Sequence, residues 1–124
     1  MTLTVEIEKA IIAHVLWKSR LYSAIERGVS ELTVENVEPD NLCEFGKWLF
    51  DLPAAERSNP HWKKVQSLHA DFHREAADVL RLALQGQKPE AYGAMDLQSQ
   101  FMKTSAKLTE AMREWQQMQL VSGR

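Results

Sequence analysis

The chain has 124 residues, of which 44% are apolar and 26% charged, as is typical of one folded domain with its own core. Its net charge is −2 and its basic residues are scattered, which argues against nucleic acid as the main partner, because that role needs a concentrated basic surface. No apolar run reaches the length of about 18 residues that a membrane span needs, and the single cysteine excludes an internal disulfide. The first residues lack the pattern of a secretory signal, so we expect one cytoplasmic domain over residues 1–124.

The first predicted element is a long helix over residues 4–27, which Thr4 can cap and Gly28 can end. One apolar face carries a histidine among aliphatic residues: Ile7, Ile11, His14, Leu21 and Ile25. A second apolar stripe lies on another side of the helix: Val5, Ile12, Val15 and Leu16. A helix that is apolar on two sides needs two packing partners, so we expect the protein to form a homodimer.

The next segment predicts a loop and then a short helix. Residues 29–38 are mixed in character and predict the loop. Asp40 or Asn41 can then cap a short helix, rich in aromatic residues, that contains Cys43 and ends near Leu52.

A second long helix is predicted to begin at Asn59-Pro60, where a capping side chain precedes a proline at the first helical position. It is expected to run to about Gln85 and to stop at Gly86. The residues that mark its buried face are Val65, Leu68, Phe72, Ala76, Val79 and Ala83.

The last predicted helix runs from about Pro89 to Leu120. It carries two rows of residues spaced seven apart: Ala94, Phe101, Leu108 and Trp115 in one row, and Leu97, Thr104, Ala111 and Met118 in the other. This partial heptad pattern is compatible with a bundle or a coiled-coil dimer, in which Trp115 is a candidate for the dimer interface. No segment predicts a strand. The sequence therefore predicts an all-α fold, a four-helix bundle with an additional short Cys-bearing helix between the first and second long helices.

His69 and His73 are the first candidates for chemistry, because residues four apart share a helix face and can reach one metal ion. Their segment, His-Ala-Asp-Phe-His, lacks the glutamate that follows the first histidine in zinc proteases, so the hydrolytic form of the motif is absent. Two histidines at this spacing are also typical of a polar, partly exposed helix face. The pair alone therefore does not define a site.

His14 and Cys43 are each ambiguous in isolation, since a lone histidine on an apolar stripe is usually a satisfied core residue and a free cysteine is usually a small buried hydrophobe. In a small bundle, however, His14 and the pair His69 and His73 all face inward and can meet. A cysteine that opens a helix can bind metal as a thiolate with help from the helix dipole. We interpret these residues as four nitrogen and sulfur ligands of one tetrahedral zinc ion, and His61 as a surface residue.

The sequence around these residues resembles the chemoreceptor zinc-binding (CZB) domain family. Cys43-Glu-Phe-Gly-Lys-Trp-Leu-Phe50 is similar to the family's Cys-x-Leu/Phe-Gly-x-Trp-Leu/Ile signature, and His69-Ala-Asp-Phe-His73 is similar to its His-x-x-x-His segment. His14, with Trp17 three residues later, resembles its first-helix histidine segment. The resemblance covers most of the chain, and the parts occur in the family's order.

The resemblance implies zinc ligands at the matching positions, His14, Cys43, His69 and His73. It also implies a cytoplasmic sensory module that senses zinc or oxidants such as hypochlorous acid, often dimerises, and controls chemotaxis or cyclic-di-GMP output through a chemoreceptor or a diguanylate cyclase. The chain contains neither a Gly-Gly-Asp-Glu-Phe motif nor a receptor signalling hairpin. We therefore expect either a free-standing domain or an N-terminal piece of a longer protein.

Four protein ligands leave no open position for a substrate, so we expect a regulatory module rather than an enzyme. Two alternatives remain: a hemerythrin-like di-iron carrier, which needs more than the four histidines present together with bridging carboxylates, and a metal-free helical interaction module. Trp17 and Trp48 are expected to close the pocket around the metal. Asp71, Asp78 and Glu44 are near enough in sequence to orient the ligands, but surface exposure is the expectation for each.

Overall fold

The computed structural model describes residues 3–122, with side chains through residue 119. Every regular element in this range is a helix, so the all-α prediction is confirmed. The helices of this range are α1 (Leu3–Arg27), α2 (Val34–Val37), α3 (Glu44–Asp51), α4 (Ala54–Arg57), α5 (Pro60–Leu84), α6 (Lys88–Ala94) and α7 (Gln100–Ser122). None of them combines the length and the apolar character that crossing a bilayer would require.

The three long helices form the body of the bundle, with α7 antiparallel to both α1 and α5. The start of α1 lies beside the end of α7, where Gln116 Nε2 donates to the Thr4 carbonyl oxygen (3.2 Å). Along α5 and α7 the pairing is likewise reversed, since Lys64 contacts Glu114 and Phe72 contacts Phe101. It follows that α1 and α5 run in the same direction.

The fourth column of the bundle is the connection between α1 and α5, which returns alongside α5 as the short helices α2, α3 and α4. Near the end of α5, Arg81 pairs with Glu38, which follows α2 (3.2 Å). Near the start of α5, Trp62 Nε1 donates to the Leu49 carbonyl oxygen in α3 (3.0 Å). The predicted bundle is therefore confirmed, with its fourth column divided into the short helices α2, α3 and α4.

Gly28 and Asn59-Pro60 mark helix ends as the sequence predicts, whereas Thr4 does not. Gly28 ends α1 with a positive φ of 71°, which an L-residue rarely adopts. At the start of α5, Asn59 Oδ1 accepts a hydrogen bond from the His61 amide (2.8 Å), and Pro60 occupies the first helical position. α1 is already helical at Leu3, so Thr4 lies inside the helix and is not its cap.

The predicted loop over residues 29–38 contains the one-turn helix α2, whose first turn is capped by Thr33. The prediction that Asp40 or Asn41 caps the next helix is wrong, because α3 begins at Glu44 and its N-cap is Cys43. The Asp40 carboxylate instead accepts a hydrogen bond from Gln66 Nε2 in α5 (3.1 Å). Asp40 lies too far before Glu44 to be the cap, and the Cys43 Sγ accepts the capping bond from the Gly46 amide instead.

The last predicted helix is also wrong as a single element, because α6 ends at Ala94 and α7 begins at Gln100. Asp96 Oδ1 accepts from the Gln98 amide (2.9 Å) and Ser99 Oγ accepts from the Met102 amide (3.2 Å). Aspartate and serine offer such local bonds in place of helical ones, which explains the break. The heptad rows therefore hold only within α7.

Residues spaced along α7 complete the core, and Trp115 is one of them. Its side chain is fully buried and lies 6.1 Å, centroid to centroid, from the Trp48 ring. The suggestion that Trp115 sits in a dimer interface is therefore wrong, because the fold of a single chain already covers it. Phe101 and Leu108 of the same row are also buried, whereas Leu97 of the other row is 78% exposed.

Leu108→Ala and Leu97→Ala form a matched pair that tests the position of this break. We expect Leu108→Ala to lower the free energy of unfolding by about 2–5 kcal/mol, because it leaves a cavity in the core. We expect Leu97→Ala to change it by less than about 0.5 kcal/mol, because the side chain is exposed. Urea unfolding measures both values. Equal losses would place Leu97 in the core, as one continuous last helix requires.

Candidate metal centre

His69 and His73 lie on the buried face of α5, not on a polar surface. Their relative exposures are 0% and 1%, and their Nε2 atoms are 3.0 Å apart. The helix presents both rings to the interior because residues four apart lie one above the other. The interpretation of this pair as two partly exposed histidines is thereby excluded.

His14 of α1 faces this pair from across the bundle. The His14 ring centroid is 4.9 Å from that of His69 and 5.9 Å from that of His73. His14 Nδ1 lies 2.7 Å from the Ala10 carbonyl oxygen, to which only a protonated nitrogen can donate. That bond assigns the proton to Nδ1 and leaves Nε2 with a free lone pair. Among the described residues, Nε2 of His14 is buried and has no hydrogen-bond partner.

His73 is held in the same way as His14. Its Nδ1 lies 2.7 Å from the Val37 carbonyl oxygen, at the end of α2, so Nδ1 is again the donor and Nε2 the atom with the lone pair. Histidines that bind metal commonly donate the other ring N–H to a backbone carbonyl, which fixes the ring orientation. Two of the three rings are therefore oriented with Nε2 toward a common point.

Cys43 completes the cluster from the start of α3. It is half-buried, and its Sγ accepts a hydrogen bond from the Gly46 amide (3.3 Å). Burial raises the pKa of the Cys43 thiol, while the Gly46 and Phe45 amides act in the opposite direction. The backbone amides at the start of α3 thus favour the thiolate, but their effect on the pKa is smaller than that of burial. A bound cation is what would shift Cys43 to its thiolate form.

The spacing of the four side chains fits a single metal ion. One ligand atom from each of His14, Cys43, His69 and His73 lies within 4.8 Å of all the others. His69 Nε2 is 3.0 Å from His73 Nε2 and 3.4 Å from Cys43 Sγ. Tetrahedral zinc with its usual bond lengths separates such ligand atoms by about 3.3–3.6 Å. The arrangement needs only small adjustments to surround a zinc ion.

Burial keeps the three imidazoles uncharged at neutral pH. The pKa of His14 is lowered to about 4, chiefly by burial and against the opposing effect of its bond to Ala10. The pKa of His69 is lowered to about 2, again chiefly by burial, with a smaller contribution from His73. The pKa of His73 is also lowered by burial, against the opposing effect of its bond to Val37. Neutral imidazoles are the form that binds metal, so no proton has to leave these rings first.

Aromatic side chains surround the cluster. The Trp17 ring lies edge-on to His73 (5.9 Å), as expected for a residue that closes the pocket. Trp48 is one layer further away, since it stacks on Phe45 (5.6 Å), which in turn contacts His69 (5.2 Å). These rings exclude water from the nitrogen and sulfur atoms, which strengthens electrostatic interactions among them.

The groups that orient the ligands could not be found by searching for charged residues near them in sequence. Asp71 and Asp78 pair instead with Arg74 and Arg81 on the surface, and Glu44 is exposed. The orienting groups are backbone carbonyls, which every residue possesses and no side-chain pattern reveals. His61 lies in the first turn of α5 and is not part of the cluster.

Cys43 is positioned by a close backbone contact at Gly46. A Cβ atom at this position would overlap the Asp40 carbonyl oxygen, so only glycine lets the chain before Cys43 pack onto the first turn of α3. Asp40 is also tied to α5 through Gln66. The segment that carries Cys43 is therefore held against both helices.

Gly46→Ala tests this contact, with Gly93→Ala as its control. The new methyl group at position 46 must displace the Asp40 backbone, and we expect the free energy of unfolding to fall by about 1–3 kcal/mol or more. A methyl group on Gly93 of α6 meets no atom within 4 Å. Because alanine favours helix, Gly93→Ala should leave stability unchanged or raise it by up to about 1 kcal/mol. Thermal unfolding of both variants checks the contrast, and an unaffected Gly46→Ala would contradict it.

The fold and the site together define a small helical bundle with three buried histidines and one cysteine at its centre. The family model of the chemoreceptor zinc-binding domain matches residues 14–80. This span is more than half of the chain and contains every residue of the cluster, so the protein belongs to the chemoreceptor zinc-binding domain family. No curated protein matches the chain, and neither does any solved structure.

Proposed function

We propose that the protein is a zinc-binding sensory module in which His14, Cys43, His69 and His73 hold one Zn²⁺. The observation that carries the proposal is the buried cluster itself, whose lone pairs converge and whose His14 Nε2 has no partner among the described residues. A buried polar atom without a partner costs free energy, and a cation with affinity for nitrogen and sulfur would offset that cost. The membership in a family named for zinc binding supports the same assignment.

A role in regulation is favoured over one in catalysis by the composition of the cluster. Four protein ligands would close a tetrahedral zinc ion, whereas catalytic zinc keeps one position for water or substrate. The cluster contains no carboxylate, so it offers nothing to bridge two iron ions as a hemerythrin-like carrier requires. Metal analysis of the purified protein separates these possibilities: one zinc per chain, two irons, or no metal.

The signal would act by joining or releasing helices. The ligands come from α1, from the residue before α3 and from α5, so a bound ion would tie three elements together and its loss would free them. Oxidation of Cys43 is a second trigger. Its thiolate sulfur takes the oxygen of hypochlorous acid to form a sulfenic acid, chloride leaves, and the product is a poorer ligand. A chemoreceptor or a diguanylate cyclase in the cytoplasm would read the change and alter chemotaxis or cyclic-di-GMP levels.

Cys43→Ala tests the ligand set, with His61→Ala as the control. Loss of one of four ligands should lower zinc affinity by at least about 100-fold, more than the loss of a group that merely orients a ligand. His61 lies outside the cluster, so His61→Ala should bind zinc as the unaltered protein does. Competition against a chromophoric chelator measures both affinities, and circular dichroism verifies that both variants are folded. Unchanged, stoichiometric zinc binding by Cys43→Ala would refute the assignment.

We further propose that the exposed stripe of α1 forms a homodimer interface. Ile12, Val15 and Leu16 are 54%, 50% and 57% exposed, although each is a large apolar residue. Adjacent exposed apolar side chains on one helix are typical of an interaction surface. A second copy of the chain would cover the stripe with an identical one.

Ile12→Asp should convert the dimer to a monomer, because a buried unpaired charge at a helix–helix interface is strongly unfavourable. Leu97→Asp introduces the same charge at an exposed leucine outside the stripe and should leave the mass unchanged. Light scattering at micromolar concentration measures the mass of each. A monomeric unaltered protein at tens of micromolar would contradict the proposal.

A further inference from the structure

A groove lies at the end of α1, where the chain turns at Gly28 and folds back. Its volume is about 320 Å³, within the range of small-molecule sites. It is lined by α1 and by the segment that follows it, and its polar lining residues are Ser19, Arg20, Ser23, Arg27, Ser30 and Glu31. The lining is rich in hydrogen-bond donors, with two guanidinium groups and three hydroxyl groups around one concave space.

The two arginines of the groove differ from the others in having no acceptor. Within residues 3–122, each of the remaining arginines donates a side-chain hydrogen bond to a carboxylate or carbonyl oxygen: Arg57, Arg74, Arg81 and Arg113. Arg20 and Arg27 donate none in this range. Two unpaired guanidinium groups beside one groove are suited to an anionic ligand.

The position of Arg27 alone would not require a ligand. It lies in the last turn of α1, where the carbonyl ends of the helix favour a positive charge. Arg20 lies about two turns earlier, beyond the reach of that effect. Its guanidinium carbon is 4.6 Å from the centroid of the Trp17 ring, a cation–π contact that limits its freedom. An arginine held in place in this way loses less entropy when it binds an anion.

Serine residues supply further donors between and opposite the arginines. Ser23 lies between Arg20 and Arg27 on the same helix face, because the three residues are three and four positions apart. On the opposite wall, Ser30 Oγ accepts a hydrogen bond from the Leu32 amide (2.9 Å), which leaves its hydroxyl proton available. Glu31 is the one acidic side chain of the lining. The groove therefore carries two positive charges and one negative charge in a protein whose net charge is −2.

We propose that this groove binds the phosphate group of a small phosphorylated metabolite. Phosphate accepts charge-assisted hydrogen bonds from guanidinium groups and further bonds from hydroxyl groups, which are the donors present. The volume leaves room for an organic part beside the phosphate. The site is separate from the proposed metal centre and does not depend on it.

Calorimetric titration of the 124-residue chain at low salt tests the proposal, with inorganic phosphate and ribose 5-phosphate as probes and chloride at matched ionic strength as reference. We expect saturable binding of both phosphates, tighter for the ester. Arg20→Gln combined with Arg27→Gln should weaken it by at least about tenfold, since two charge-assisted bonds are lost. Lys47→Gln combined with Lys63→Gln makes the same change of net charge near the opposite end of the bundle. This control variant should bind both phosphates almost as tightly as the unaltered protein. Glu31→Gln should strengthen binding.

Fluorescence of Trp17 provides a second readout. An anion that binds Arg20 changes the charge and position of the guanidinium group next to the Trp17 ring. Trp17→Phe should lose the fluorescence change, which identifies Trp17 as its source. Several results would overturn the proposal: no saturation by either phosphate, equal binding by the Arg20→Gln/Arg27→Gln variant, or equal binding of citrate, which would indicate a carboxylate site.

Discussion

The structure depends on the burial of three uncharged imidazoles in one small core. His14, His69 and His73 are almost fully removed from water, and each ring has two nitrogen atoms that need partners. An unsatisfied buried nitrogen costs about 1–3 kcal/mol, which is a large fraction of the stability of a small domain. Backbone carbonyl oxygens accept a hydrogen bond from Nδ1 of His14 and from Nδ1 of His73. His69 Nε2 lies against His73 Nε2 and Cys43 Sγ, whereas His14 Nε2 and His69 Nδ1 have no hydrogen-bond partner among the described residues.

This requirement explains why the connection between the first two long helices is not one regular helix. α2 must end where the Val37 carbonyl can accept from His73, and α3 must begin where Cys43 can point at His69. An uninterrupted helix would use the Val37 carbonyl in its own hydrogen bonds and would point Cys43 in a direction set by the helix alone. The segment therefore gives up regular structure to supply one carbonyl and one sulfur atom to the centre of the bundle.

Much of the fold could be predicted from the sequence, because it depends on local signals. Gly28 and Asn59-Pro60 act through backbone conformation and capping, which need no knowledge of distant residues. The errors occur where a distant residue competes for a local group. Asp40 resembles a helix cap, but its carboxylate is bonded to Gln66 of α5 and the helix begins later, with Cys43 as its cap. The break before α7 was hidden because the heptad spacing continues through Asp96 and Ser99, whose side chains favour a turn.

In the candidate site, too, some features could be predicted from the sequence and others depend on contacts formed only in the folded chain. The four residues of the cluster have side chains unusual enough to be recognised in sequence, and their order matches a family signature. The carbonyl groups of Ala10 and Val37 carry no such mark, and neither does the close contact between Gly46 and Asp40, which appears only when the chain has folded. The proposed phosphate groove was missed for a related reason, since Arg20 and Arg27 stand out only after the other arginines are seen to be paired.

The position of the cluster residues along the chain has a consequence for the unfolded state. Cys43 and His69 are 26 positions apart, and a similar length of chain separates His14 from Cys43. An ion shared by all of them would close two loops, as disulfide bonds do, and each loop of this size restricts the unfolded chain by about 3–4 kcal/mol. Such a cross-link forms without oxidation, so it persists in reducing surroundings where a disulfide would be cleaved. It also opens again when the metal leaves, which makes the restriction of the unfolded chain reversible.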